Sequence, residues 1–149
     1  MCETSHQWER SFTVAGGDFT SAGEAASKIK KLLGQLGLAA DHIHRIAVAS
    51  YEAELNIVIH AFAGEIIVAF DPDLITVIAR DRGPGISDIE LAMQEGYSTA
   101  PEVARQMGFG AGMGLPNMRR CSDQIQVQSE VGKGTNVIMK FHLRQKATL

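Results

Sequence analysis

With 149 residues, 45% hydrophobic and 21% charged, the chain suits one domain able to bury a core without disulfides or metals. Its 14 Lys+Arg against 17 Asp+Glu give a formal charge of −3, too mild for the clustered basic face that nucleic acid or anionic lipid requires. The two cysteines, Cys2 and Cys121, form no C-x-x-C pair and no zinc spacing, which excludes a disulfide scaffold and a structural zinc site. No apolar run reaches the roughly 18 to 20 residues of a membrane span. Met1 to His6 lacks the basic and apolar regions of a signal peptide. The expectation is a cytoplasmic protein that acts on neither membrane nor nucleic acid directly.

In chain order, Ser11 to Ala15 is a short β-like run closed by Gly16-Gly17. Ala22, Ala25, Ala26, Ile29, Leu32, Leu33 and Leu36 then follow the spacing of one buried helical stripe. Ser21 with Glu24 three residues on has the form of a capping box, and Gly34 and Gly37 supply breaks near the end. A second helix is expected from Asp41, as N-cap, to about Phe62, with Ile43, Ile46, Ala49, Ala53 and Ile57 facing the core. Glu65–Phe70 and Leu74–Arg80 are rich in β-branched residues, and Asp71-Pro72-Asp73 between them predicts a hairpin.

The C-terminal part repeats that pattern. Ile125, Val127 and Ser129 alternate with glutamines, and Thr135, Val137, Met139, Phe141 and Leu143 alternate along a second run. One-sided alternation predicts a sheet with a single buried face, which the two long helices must cover. The fold class is therefore α/β (α+β): a two-layer sandwich with helices on one face of a mixed, mostly antiparallel sheet, the whole of residues 1–149 forming one domain. The intervening stretch from Asp81 to Met118 holds three of the four prolines and seven of the fifteen glycines, which marks a functional loop or lid, about residues 86–113. Ile86 to Glu95 within it is read as one short helix.

Four groups of residues carry chemistry. Glu52 and Asn56 lie four apart on the second helix and share a face. A carboxylate and an amide oxygen side by side suit Mg²⁺ and phosphate chemistry, although spacing alone leaves a solvated face the commoner reading. Asp81-Arg-Gly83-Pro-Gly85 follows a strand, so Asp81 can accept from an exocyclic amine while the glycines allow close backbone approach. An ordinary turn has the same form. Gly108-Phe-Gly110-Ala-Gly112-Met-Gly114-Leu-Pro116 frees several backbone N–H groups toward one anion, with Pro116 expected as the first residue of a new helix. Met118 and Cys121 are expected in the core of that helix. No Gly-Lys-Ser/Thr follows, so this is not a Walker A loop. Gly132-Lys-Gly134-Thr135 reads as a hairpin turn.

Together and in this order, the four groups resemble the N box, G1 box, G2 box and terminal Gly-x-Gly-Thr of the GHKL ATPase superfamily. Residues Ala47 to Leu143 look like the catalytic domains of anti-sigma factor serine kinases and stressosome-type switch kinases, with Gly96-Tyr-Ser-Thr99 similar to their lid motif. The resemblance implies the Bergerat fold and ATP with Mg²⁺ as cofactors. It implies Asn56 as the metal-holding residue and Glu52 as the catalytic base toward the attacking hydroxyl. It further implies Asp81 and Thr135 at the adenine, and Gly83, Gly85, Gly110, Gly112 and Gly114 shaping the phosphate side and the lid.

The activity it implies is that of a Mg-ATP-dependent serine/threonine protein kinase acting on a small anti-anti-sigma (STAS-type) partner, with a sigma factor as a second partner and a homodimer as the working form. Arg105 reads as a solvated lid residue or a γ-phosphate ligand, and His60 as a helix-end histidine. A nucleotide-gated binding module that sequesters a regulator without phosphoryl transfer is the alternative from another class. A sensor histidine kinase is disfavoured, because fewer than 20 residues are expected before the first helix.

Overall fold

The computed structural model describes residues 8–94 and 114–143. In chain order these form β1 (Trp8–Ala15), a 3-10 turn (Phe19–Ser21), α1 (Glu24–Gln35), α2 (Ala40–His60), β2 (Ala63–Asp71) and β3 (Leu74–Arg82). A four-residue α3 (Ile89–Ala92), α4 (Gly114–Cys121), β4 (Gln124–Glu130) and β5 (Gly134–His142) follow. The five strands make one sheet in the order β1-β2-β3-β5-β4.

All four strand pairings are antiparallel, so the sheet is not mixed as the sequence allowed. Register brings Val68 opposite Val77, Val77 opposite Met139, and Met139 opposite Ile125, and the two-residue alternation carries that row's face along every strand. On this face Ile66, Val68, Val77, Met139 and Phe141 are fully or almost fully buried. They meet Ile29 and Leu33 of α1 and Ile46, Ala49, Ala53 and Ile57 of α2 in one core. Burying each large aliphatic side chain contributes about 1.5–3 kcal/mol, so the two-layer arrangement follows from the alternation and the helical stripes together. Leu36, expected in the α1 stripe, is 44% exposed because the helix ends before it.

That end is a Schellman motif. Gly37, at φ +79°, donates to the Gly34 carbonyl at 3.1 Å, and Leu38 donates to Leu33 at 3.3 Å. The start of α1 differs from expectation. Its N-cap is Gly23, with φ 101°, and no side chain of the cap closes the first turn. Ser21 bonds Asp18 instead of the helix, and the hydroxyls of Thr20 and Ser21 hold the Asp18 carboxyl below its ordinary range. The capping box is replaced by a distant residue. Glu54 of α2, 2% exposed, accepts N–H bonds from Gly23 at 3.0 Å, Ala25 at 3.1 Å and Ala26 at 2.9 Å. One buried carboxylate thus satisfies three of the four orphan donors that a helix start carries and fastens α1 to α2.

Other boundaries shift by a residue or two. Helix α2 begins at Ala40 with Ala39 as an N-cap that makes no side-chain bond, so Asp41 lies inside the first turn instead of capping it. Among the described residues of the expected helix from Ile86 to Glu95, the helical ones are those of α3, started by Asp88, whose Oδ1 accepts from Leu91 N–H at 3.0 Å. Helix α4 opens at Gly114, two residues before Pro116. Proline is tolerated throughout a first turn, since those N–H groups have no intrahelical partner anyway.

Candidate functional site

Glu52 and Asn56 lie one turn apart on α2, both half-buried. The side they share is covered by α4, which crosses antiparallel to α2. At one end, a Cβ built on Gly114 would lie 3.1 Å from Asn56 Oδ1. In the middle, Asn117 Nδ2 donates to Glu52 Oε2 at 2.9 Å. At the other end, Arg45 Nη1 of α2 donates to the Cys121 carbonyl at 3.0 Å, satisfying a helix C-terminal acceptor. The apolar side of α4 holds it there, with Leu115 and Pro116 buried and Met118 fully so. Met118 is therefore in the core as expected, while Cys121 is half-buried, and burial pushes its thiol up despite Arg45 and Arg120 nearby.

Asp81 stands at the end of β3 on the same sheet face as the core, because Gly64 pairs with it just beyond the Ile66–Ala79 pair by two. Its Oδ1 accepts from the Thr135 N–H at 3.2 Å. Burial pushes the Asp81 carboxyl up, and the Thr135 N–H opposes that shift only in part. Thr135 itself is 9% exposed and faces Ser129 across the β4–β5 pair. Ser129 Oγ accepts from Ile86 N–H at 2.7 Å and donates to the Gly134 carbonyl at 3.1 Å. Ser129 Oγ also lies 2.9 Å from Thr135 Oγ1, a contact in which either hydroxyl can donate.

The glycines of this loop are set by backbone packing. A Cβ on Gly83 would lie 2.9 Å from Ala61 Cα, and Gly83 N–H donates to the Lys133 carbonyl at 3.0 Å. Gly85 has φ +77°, and a Cβ there would come 2.5 Å from the Glu130 carbonyl oxygen. The Asp81–Gly85 turn is thereby wedged between the end of α2 and the β4–β5 hairpin. His60, the last residue of α2, is half-buried, and burial lowers its pKa from the ordinary 6.5.

Gly110, Gly112, Gly96-Tyr-Ser-Thr99, Arg105 and most of the expected lid lie outside the described residues. Of the nine candidate site residues, the described seven fall into two groups. Glu52, Asn56 and Gly114 meet between α2 and α4, while Asp81, Gly83, Gly85 and Thr135 meet where β3, β5 and their loops end. Asn117 and Ser129 were not singled out from sequence. The hairpin register pairs Ser129 with Thr135 and was available as a signal; Asn117 had none, because its partner is 65 residues away.

Among the described residues, no group of three His, Cys, Asp or Glu side chains is placed to hold a metal ion by itself. The donor present is the Asn56 amide oxygen, and glycine at position 114 places no side chain against it. Such a site fits a hard cation that keeps waters and takes its remaining oxygens from phosphate. No helix among the described residues is long and apolar enough to cross a membrane.

The sequence model of the "Histidine kinase-, DNA gyrase B-, and HSP90-like ATPase" family matches residues 39–145. The anti-sigma F factor of Geobacillus kaustophilus is 32% identical over 127 residues, covering 81% of this chain and 84% of that protein. The anti-sigma F factor of Clostridium kluyveri is 34% identical over 121 residues, covering 78% and 82%. A crystal structure of the RsbU and RsbW domains of Rv1364c from Mycobacterium tuberculosis superposes with a TM-score of 0.61 at 16% identity. That match covers 93% of this chain, which spans only 34% of the mycobacterial one, and it bears on the fold.

Proposed function

Because the chain belongs to the histidine kinase-, DNA gyrase B- and HSP90-like ATPase family and groups with anti-sigma F factors, we propose that it is an ATP-dependent serine/threonine protein kinase of the anti-sigma factor type. It binds ATP and acts in partner switching, phosphorylating a small STAS-type regulatory protein and contacting a sigma factor. The observation that carries the reading is the pair Glu52 and Asn56, one turn apart on α2 and both met by α4.

The residues divide the work as follows. Asp81 and Thr135 take the adenine: the second carboxylate oxygen of Asp81 accepts from the exocyclic amine, and the Thr135 hydroxyl borders the same edge. Gly83 and Gly85 hold the turn that presents Asp81, and Gly110, Gly112 and Gly114 shape the phosphate side. Asn56 holds Mg²⁺, which when bound neutralises charge on the triphosphate. Glu52 accepts the proton of the attacking serine or threonine hydroxyl. That oxygen forms a bond to the γ-phosphorus, the bond from phosphorus to the β,γ-bridging oxygen breaks, and ADP leaves with the electron pair. Phosphoryl transfer needs positioning and charge neutralisation more than covalent help, and a single carboxylate base suffices for the proton. We further propose a homodimer joined at β1, an edge strand of the sheet; light scattering at the monomer mass counts against it.

The test is phosphoryl transfer from γ-labelled Mg-ATP to recombinant STAS-domain proteins of the source organism, read by mass spectrometry. The expected product is a phosphoserine or phosphothreonine on one of them. Glu52→Gln should lower kcat by about 10²–10⁴, the usual contribution of a general base, with ATP affinity retained. A partner held in the presence of ATP but never modified identifies a nucleotide-gated binding module instead.

A further inference from the structure

We propose that Asn117 is a positioning residue for Glu52, fixing which carboxylate oxygen meets the substrate hydroxyl. The inference rests on Glu52 acting as the base and adds a residue to that machinery. Asn117 Nδ2 donates to Glu52 Oε2 at 2.9 Å, and Asn117 Oδ1 accepts from the Arg120 guanidinium one turn along α4. The two bonds fix the amide's orientation. Flipped, its oxygen would face a carboxylate and its NH₂ a guanidinium, both repulsive. The chain Arg120–Asn117–Glu52 is therefore ordered donor to acceptor along its whole length.

A free glutamate on a helix surface rotates about three bonds and offers either oxygen. Here one acceptor site of Oε2 is taken by Asn117, so Oε1 is the freer oxygen for the hydroxyl proton. The mount is rigid as well. Helix α4 is held on α2 by Gly114 against Asn56 at its start and by the Arg45 bond to the Cys121 carbonyl at its end, and Asn117 stands between the two. The group that orients the base is thus carried by the same helix whose first residue packs against the proposed metal-holding Asn56.

Stability does not account for the contact. Asn117 and Glu52 are both half-buried, and α4 is already anchored by Leu115, Pro116 and Met118. A pair of partly exposed side chains contributes little to folding, so Asn117 is replaceable without loss of the fold.

The experiment is steady-state phosphoryl transfer from Mg-ATP to the STAS-domain protein found in the assay above, comparing wild type, Asn117→Ala, Asn117→Asp, Glu52→Gln and the Glu52→Gln/Asn117→Ala double variant. Asn117→Ala should lower kcat about tenfold with the KM for ATP unchanged within about twofold, the pattern of an interaction that matters in the transition state. On the Glu52→Gln background the same substitution should have no further effect, because residues acting as a unit are not additive. Asn117→Asp keeps the shape but sets a second carboxylate against Glu52, and should move the acidic limb of the pH–rate profile to higher pH.

Equal losses from Asn117→Ala in both backgrounds, or a loss confined to ATP affinity, overturn the proposal, since the residue then acts elsewhere. A dead Glu52→Gln beside an unimpaired Asn117→Ala overturns it while leaving the kinase reading intact. A fully active Glu52→Gln removes Glu52 as base and this inference with it. Should Asn117→Ala melt early, the near-isosteric Asn117→Asp still decides the question through its pH profile.

Discussion

Truncating Glu54 to alanine removes the buried partner of three backbone donors at the start of α1. The carboxylate is 2% exposed and accepts three backbone N–H bonds, two through Oε2 and one through Oε1. Without it, the first turn of α1 is left with three donors unmet, each costing about 1–3 kcal/mol unless water enters. Local relaxation and entering water recover part of the sum over three donors, so the expected loss is about 3–5 kcal/mol. For a chain of this size the loss lowers Tm by roughly 10 °C. Glu54→Gln is the informative control. It keeps the shape but turns one acceptor into a donor aimed at a backbone N–H, and should lose about half as much. The assay is urea unfolding followed by circular dichroism, with the slope m expected to stay constant, since the surface exposed on unfolding is unchanged. A Glu54→Ala variant within about 1 kcal/mol of wild type would refute the assignment of this carboxylate as the cap of α1.

Three further outcomes follow from the same geometry. Gly85→Ala forces a Cβ to 2.5 Å from the Glu130 carbonyl oxygen at φ +77°, and should destabilise by about 2–3 kcal/mol in urea melts; a loss under about 0.5 kcal/mol would contradict the wedged loop. Asp81→Asn keeps an oxygen for Thr135 N–H but opposes an NH₂ to the adenine amine, so calorimetric ATP affinity should fall roughly 10- to 100-fold, and unchanged affinity would remove Asp81 from the adenine. His60 is pushed below its ordinary 6.5 by burial, so the unfolded chain binds the proton more readily. Stability is therefore full above about pH 6.5 and declines as the pH falls through the window beneath it, and His60→Gln should flatten that decline in Tm–pH scans.

The sheet was legible because its signal is local. Thr135, Val137, Met139 and Phe141 alternate along one strand, all four are buried, and each reports its face without reference to the rest of the chain. The α1 stripe was legible for the same reason. What sequence did not disclose depends on where two helices cross. Glu54 sits within a Glu-Ala-Glu stretch that reads as solvated, and only the placement of α1 across α2 turns it into a buried cap. Asn117 reads as an ordinary helix residue until α4 is laid on α2. Pro116 misdirected the start of α4, because proline marks a first turn without marking which residue of it. Around the candidate site, motif order picked out residues that the fold brings near one another, whereas the reason for two of the loop glycines was not legible: Gly83 and Gly85 make room for the backbones of Ala61 and Glu130.

Asp81 shows how folding and ligand binding pull against each other in this molecule. Its carboxyl is raised by burial, which means the folded state favours the neutral form. For a carboxyl raised in this way, the stabilising contribution is present below the unfolded value of about 3.8 and is lost as pH rises through the folded value. Above its folded value the carboxylate is a half-buried charge that, among the described residues, the Thr135 N–H offsets, at the oxygen pair a ligand amine would complete. Asp81→Asn removes the charge and so should melt higher than wild type at pH 7 without nucleotide, even as it binds ATP more weakly. Near pH 3.5 the difference in melting should shrink, since the wild-type carboxyl is then largely neutral in the folded protein. A lower Tm for Asp81→Asn at pH 7 would show that the carboxylate stabilises the empty fold. That outcome would leave the structural position of Asp81 explained by folding alone, with no residual strain for adenine to relieve.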